Sequence, residues 1–141
     1  MDGLRIERID VNQAQVYWSW LSDLLRPALL QQGSPRSLEH LRNNLATGQM
    51  AAASIHFPNG AGVIVLSMER EPKGLVCWVY ALAGKMKLTL SAMKKTIIEI
   101  LAQFEAEAKK AGCIEMRMRG RNWSWIPGYE SIGDDRLRKV L

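Results

Sequence analysis

The chain has 141 residues, 48% of them hydrophobic and 23% charged, which suits one globular domain with one core and excludes a disordered or fibrous protein. No apolar run approaches the roughly 18–20 residues of a membrane helix, Met1–Asp10 is too polar for a secretory signal, and Cys77, Cys113 and two histidines are too few for a disulfide framework or a zinc site. The net charge of +5 is uneven: residues 1–70 hold six Arg against six acidic residues, and residues 71–141 hold thirteen Lys and Arg against eight acidic residues, so the basic half points to an anionic ligand, an acidic partner, nucleic acid or a merely solvated surface.

Asn12 is placed to cap a first helix, and Val16, Tyr17, Trp20, Leu21, Leu24 and Leu25 follow at helical spacing. Pro27 is expected to end or kink it, because proline lacks an N–H and crowds the preceding turn. Ser34 as cap and Pro35 at the first helical position predict a second helix through Leu38, Leu41 and Leu45, stopping near Gly48. Met50–Phe57 and Ala61–Met68 read as strands joined by the hairpin signal Pro58-Asn59-Gly60, and Glu69–Gly74 reads as a further turn. Leu75–Leu82 is continuously apolar, the pattern of a strand buried on both faces. From about Ser91 to Ala111 the apolar residues Met93, Ile97, Ile100, Leu101, Phe104 and Ala108 recur every three or four positions, with Gly112 as the cap that ends the helix. Cys113–Arg119 alternates like a half-buried strand. Residues 120–135 read as irregular or briefly helical, and Arg136–Leu141 as a last strand. The predicted order is α-α-β-β-β-α-β-(α)-β, a mixed α/β (α+β) single domain over residues 1–141.

Three features could carry chemistry. Arg117, Arg119 and Arg121, spaced by two, would line one strand face and could fork onto phosphates or carboxylates; the plain reading is a solvated face that Glu115 partly offsets. Trp123, Trp125 and Tyr129 lie within seven residues, as a stacking platform or protein hot spot would, although burial of at least one indole is expected. The stretch Ala83–Leu90 precedes a helix start, where anions are favoured, and brings Gly84, Lys85 and Lys87, but it lacks the repeated glycines that let several amides converge. Cys77 and Cys113 are expected in the core. His40 and His56 show no Ser or Cys partner within sequence reach, so no hydrolytic dyad is expected, and Asp134-Asp135 reads as a turn.

This order resembles the GNAT superfamily of acyl-coenzyme-A-dependent N-acetyltransferases, whose fold is a central, mostly antiparallel twisted sheet flanked by helices. The sharpest part is Ala108-Lys109-Lys110-Ala111-Gly112-Cys113-Ile114-Glu115-Met116-Arg117 with Gly120-Arg121-Asn122-Trp123 and Gly128-Tyr129, which resembles small acetyltransferase-like proteins of tailed bacteriophages. Arg136–Leu141 fits their final strand. The resemblance implies an Arg/Gln-x-x-Gly-x-Gly/Ala loop for the coenzyme A pyrophosphate, yet the counterpart Gly84–Met93 lacks that spacing, and Leu88, Leu90 and Met93 would crowd the diphosphate. It also implies a tyrosine that protonates the departing thiolate, yet that position falls near Ile126, with Tyr129 the nearest substitute.

The resemblance thus implies a fold kept without its chemistry. The expected protein is phage-derived and serves virion structure or assembly, in the virion or host cytoplasm, without cofactor, metal or membrane. It would contact other phage structural proteins or copies of itself through Arg117, Arg119, Arg121, Trp123 and Trp125. The alternative is an active N-acyltransferase using acetyl-coenzyme A, with Gly84, Lys85 and Lys87 at the phosphates and Tyr129 or water serving the thiolate. A small nucleic-acid-binding module built on the same Arg and Trp residues stands third, and nucleic acid is not the expected partner.

Overall fold

The elements of the protein, in a computed structural model that describes residues 3–31, 38–119, 123, 125–133 and 136–141, are β1 (Arg5–Ile9), α1 (Val11–Val16), α2 (Trp18–Gln31), α3 (Leu38–Thr47), β2 (Met50–Phe57), β3 (Gly60–Glu71), β4 (Gly74–Met86), α4 (Leu90–Lys110), β5 (Cys113–Arg119), β6 (Glu130–Gly133) and β7 (Arg136–Val140). The strands form one seven-stranded sheet in the order β1-β2-β3-β4-β5-β7-β6. β4 and β5 run parallel, from Leu75↔Cys113 to Val79↔Met118, because α4 carries the chain back between them. The pairs β1/β2, β2/β3, β5/β7 and β6/β7 are antiparallel. No helix among the described residues is long and apolar enough to cross a membrane.

The chain divides into two compact units, Asp2–Ser67 with Tyr80–Lys87, and Met68–Val79 with Leu88–Leu141. In the former, Leu21, Leu24, Leu25 and Leu29 of α2 and Leu41 and Leu45 of α3 pack with Ala52, Val63, Val65 and Ala81 of the strands. In the latter, Ile97, Ile100, Leu101 and Ala108 of α4 are buried, as are Val76, Cys77 and Val79 of β4, Met116 and Met118 of β5, and Leu137 of β7.

Several predicted boundaries move, each for a local reason. Arg5–Ile9, read only as a polar segment, is strand β1: it pairs with β2 from Arg5↔His56 to Ile9↔Ala52 and needs few apolar side chains because it is an edge strand. The first helix is capped by Asp10 rather than Asn12. Gln13 N–H donates to Asp10 Oδ1 at 2.7 Å and Asp10 N–H donates to Gln13 Oε1 at 3.0 Å, a reciprocal capping box. The expected single helix is broken at Tyr17 into α1 and α2, and Pro27 lies inside α2 rather than ending it. Ser34, Pro35 and Asp134-Asp135 fall outside the described residues. The turn expected over Glu69–Gly74 shrinks to Pro72-Lys73. The hairpin at Pro58-Asn59, with Phe57 opposite Gly60, forms as predicted. So do α4, ended by Gly112 at φ +93°, and β5. Within 120–135 the described residues hold strand β6 rather than a short helix.

Candidate functional site

β4 continues to Met86, so Ala83–Met86, expected in a loop, are strand residues, and only Lys87–Thr89 joins β4 to α4. Gly84 therefore serves close approach between strands: a Cβ there would lie 2.8 Å from Ala61 O and 3.1 Å from Gly62 Cα. That corrects its expected place, with Lys85, in a phosphate-binding loop. Lys85 and Lys87 are exposed, and the Lys87 N–H donates to Asn59 O at 2.9 Å.

Thr89 caps α4. Its backbone is extended, its Oγ1 accepts the Ala92 N–H at 3.2 Å, and its carbonyl accepts the Met93 N–H at 2.9 Å. The amides of Leu90 and Ser91 precede the first helical hydrogen bond and have no partner within the helix. No acidic residue stands in this first turn. Leu90, expected to crowd an anion here, is 63% exposed, while Leu88 and Met93 are half-buried.

The segment carrying the tryptophans is fixed to α4 at two levels. Tyr129 is buried, and its hydroxyl donates to Glu105 Oε2 at 3.0 Å. Lys139 Nζ donates to Glu105 Oε1 at 2.9 Å. Burial first, then the charge and hydrogen bond of Glu105, push the Tyr129 phenol above its ordinary range. Eleven residues earlier on α4, Lys94 Nζ sits 5.2 Å from the centroid of Trp125. Eleven residues are close to three helical turns, so Lys94 and Glu105 share one side of α4. Trp123 and Trp125 are both half-buried, with centroids 6.1 Å apart and planes tilted by 39°. Ile126, at the position where the resemblance implies a catalytic tyrosine, is a buried apolar anchor.

The arginine ladder is not a free surface. Arg117 Nη1 bonds Glu71 Oε2 at 2.6 Å and its Nε bonds Glu115 Oε2 at 2.9 Å, with the guanidinium 5.7 Å from the Trp78 ring centroid. Burial lowers its pKa, but the bonds to Glu71 and Glu115 outweigh that and hold it above the usual value. Arg138 lies opposite Arg117 on β7 and reaches Glu130 at 2.9 Å and Glu115 at 3.6 Å. Alternation puts these residues on the face away from α4, since Lys139, their neighbour on β7, bonds Glu105 of α4. Arg119 is exposed, and Arg121 lies outside the described residues. The expected partner surface is thus split: Arg117 is internal, Arg119 is outward, and the indoles lie along α4.

Two further expectations are settled by position. Cys77 and Cys113 are buried free thiols, and burial pushes Cys77 up to about 12, with Cys113 adding to the shift. His56 Nε2 does stand 3.0 Å from a serine hydroxyl, Ser54 Oγ, a pairing that a spacing of two on a strand permits and that the sequence reading missed. Ser54 is buried and donates to Glu7 O at 3.4 Å, which ties β2 to β1. Among the described residues no group of three His, Cys, Asp or Glu side chains is placed to hold a metal ion.

No protein-family model matches the chain, and no curated protein matches its sequence. In structure it is similar to an acetyltransferase from Thermus thermophilus, with a TM-score of 0.63 at 14% identity over 99% of this chain and 97% of that one. It is similar also to an aminoglycoside acetyltransferase from an uncultured soil metagenomic sample, solved with sisomicin, with a TM-score of 0.57 at 20% identity over 84% of this chain and 78% of that one. A third similar structure is a ribosomal L7/L12 alpha-N-protein acetyltransferase, with a TM-score of 0.51 at 14% identity over 100% and 92% of the two chains. The fold is that of the GNAT acetyltransferases.

Proposed function

We propose that the chain is an acyl-coenzyme-A-dependent N-acyltransferase in which the start of α4 takes the pyrophosphate of the thioester substrate. The observation that carries this reading is the first turn of α4: two backbone amides without helical partners, no carboxylate to compete, and the positive end of a 21-residue helix dipole. The similar folds, two of them named as acetyltransferases of an aminoglycoside and of a protein N-terminus, support the same chemistry. An acceptor amine attacks the thioester carbonyl, the C–N bond forms as the C–S bond breaks, the thiolate takes a proton from water, and the ammonium formed loses one. Tyr129 is left out of these steps, because its hydroxyl already donates to Glu105.

Acetyl-coenzyme A titrated into the protein tests this. Binding to the native state alone raises stability by about 2.7 kcal/mol at a hundredfold excess over Kd, so Tm rises. Ser91→Asp places a carboxylate in the first turn of α4, which stabilises the helix itself by about 0.3–1 kcal/mol. The variant therefore melts higher without ligand and gains less from ligand. A wild-type Tm that stays flat at millimolar acetyl-coenzyme A overturns the proposal.

A second reading, a protein of this fold that has lost acyl transfer, is favoured by the commitment of Tyr129 to Glu105; service in a phage virion or its assembly through protein contacts is the role that the sequence resemblance alone adds to it. A flat titration, with the protein recovered from purified virions, supports it.

A further inference from the structure

Lys94 is a half-buried lysine whose ammonium lies on the Trp125 ring, and among the described residues it has no carboxylate partner. An indole attracts a cation but carries no compensating charge, so a partly desolvated ammonium in this position favours an anion beside it. The flat surface next to it is built in: Trp123 and Trp125 form a tilted pair that is partly open to solvent. The pair is anchored on its C-terminal side. Ile126 is buried and its N–H donates to Trp123 O at 3.1 Å, Tyr129 N–H donates to Ile126 O at 3.3 Å, and the Tyr129 side chain is pinned to Glu105. The backbone that carries the indoles is thus tied to α4 through Tyr129, which spares a ligand part of the cost of arranging it.

A simple inorganic anion would use Lys94 alone, and a neutral aromatic would use the indoles alone. The combination suits one molecule that carries a negative group a few ångströms from a planar ring. We propose that Lys94, Trp125 and Trp123 form a subsite for a phosphorylated nucleoside, with the phosphate at Lys94 and the base against the indole pair. The same chemistry has two sources: a free nucleotide, or the nucleotide end of coenzyme A. Only the second source rests on the acyltransferase reading.

Intrinsic tryptophan fluorescence with adenosine 3′,5′-bisphosphate as the probe tests the subsite. Wild-type protein is expected to show saturable quenching, with adenosine and ribose 5-phosphate each binding at least about tenfold more weakly because each supplies one contact. Lys94→Met is expected to weaken the bisphosphate by about tenfold, the loss of one phosphate–ammonium pair. Trp125→Leu is expected to remove most of the quenching, with unchanged circular dichroism confirming the fold of both variants. Acetyl-coenzyme A and acetyl-pantetheine are then titrated calorimetrically. If the subsite receives coenzyme A, Lys94→Met weakens acetyl-coenzyme A and leaves acetyl-pantetheine unchanged. If the bisphosphate binds in a Lys94-dependent way and acetyl-coenzyme A does not bind, the subsite stands for a free nucleotide and the acyltransferase reading falls. If acetyl-coenzyme A binds equally to wild type and Lys94→Met, and the bisphosphate gives no saturable quenching at millimolar concentration, the subsite is refuted and the acyltransferase reading survives.

Discussion

Removal of the Glu105 carboxylate is the perturbation whose cost follows most directly from the structure. The side chain is 11% exposed and accepts from Tyr129 at 3.0 Å and from Lys139 at 2.9 Å. Glu105→Ala leaves the buried phenol without its acceptor, at about 1–3 kcal/mol. It also strips Lys139 of its counter-charge, but that side chain is 34% exposed and its ammonium can rehydrate, so this part is discounted to about 0–1 kcal/mol. The expected loss is therefore about 1–4 kcal/mol. Tyr129→Phe removes only the hydroxyl and keeps the Glu105–Lys139 pair, at about 1 kcal/mol. In the double variant phenylalanine leaves no orphaned hydroxyl, so the two losses are expected to fall short of additivity by about 1 kcal/mol. Urea denaturation with a common m-value measures all three. A loss below about 0.5 kcal/mol for Glu105→Ala, or strict additivity, would refute the view that Tyr129 is an anchor. The same variant bears on chemistry: if transfer is found, Tyr129→Phe should leave kcat unchanged, as a thiolate-protonating tyrosine would not.

Three further outcomes are expected. Pro27 lies within α2, where an interior proline costs about 3 kcal/mol against alanine, less about 0.4–1 kcal/mol that it takes from the unfolded chain's freedom, so Pro27→Ala should raise unfolding stability by roughly 2 kcal/mol in urea titration. Arg117, 18% exposed between Glu71 and Glu115, should cost about 2 kcal/mol as Arg117→Met because the half-buried acids lose their partner, whereas Arg119→Met on the exposed side should stay within about 0.5 kcal/mol, a contrast that thermal melts resolve. The native Cys77 thiol is pushed from 9.0 up to about 12 and Tyr129 is raised as well, so the stability these protonated groups contribute is complete below about pH 9 and falls by about 1.4 kcal/mol per pH unit per group as the unfolded chain ionises first; Cys77→Ala should flatten that decline between about pH 9 and 10.

The long-period signals in the sequence matched the fold well, and the short-period ones did so unevenly. α4 was legible because about four turns of apolar spacing and a terminal glycine agree, and β5 because strict alternation on a half-buried strand leaves one reading. β1 was not legible: its two apolar residues, Ile6 and Ile9, are three apart and so make no alternating pattern, and its pairing partner lies more than forty residues away. Pro27 was misjudged because the apolar stripe of α2 buries Leu21, Leu24, Leu25 and Leu29, and that packing outweighs the one hydrogen bond that proline forfeits. The loop expected at Gly84 failed for a similar reason. The apolar run stops where polar residues begin, but β4, a central strand, continues past its last pair with β5 at Val79 and lies against Gly60–Gly62 of β3.

The site was least legible where charge was read as a total. The excess of +5 lies in the second half of the sequence, yet in the folded chain most cations described there are spoken for or hydrated. Arg117, Arg138 and Lys139 are neutralised by Glu71, Glu115, Glu130 and Glu105, which sequence order places far from most of them. Lys85 and Lys87 are exposed, so water already compensates them. Lys94 differs on both counts, being half-buried and resting on an indole instead of an acid. What gives a cation binding potential is a lack of compensation, from either an acid or bulk water, and that depends on the partner it meets after folding. A net charge records neither, which is why the arginine ladder drew attention in the sequence and a lysine on the face of α4 holds it in the structure.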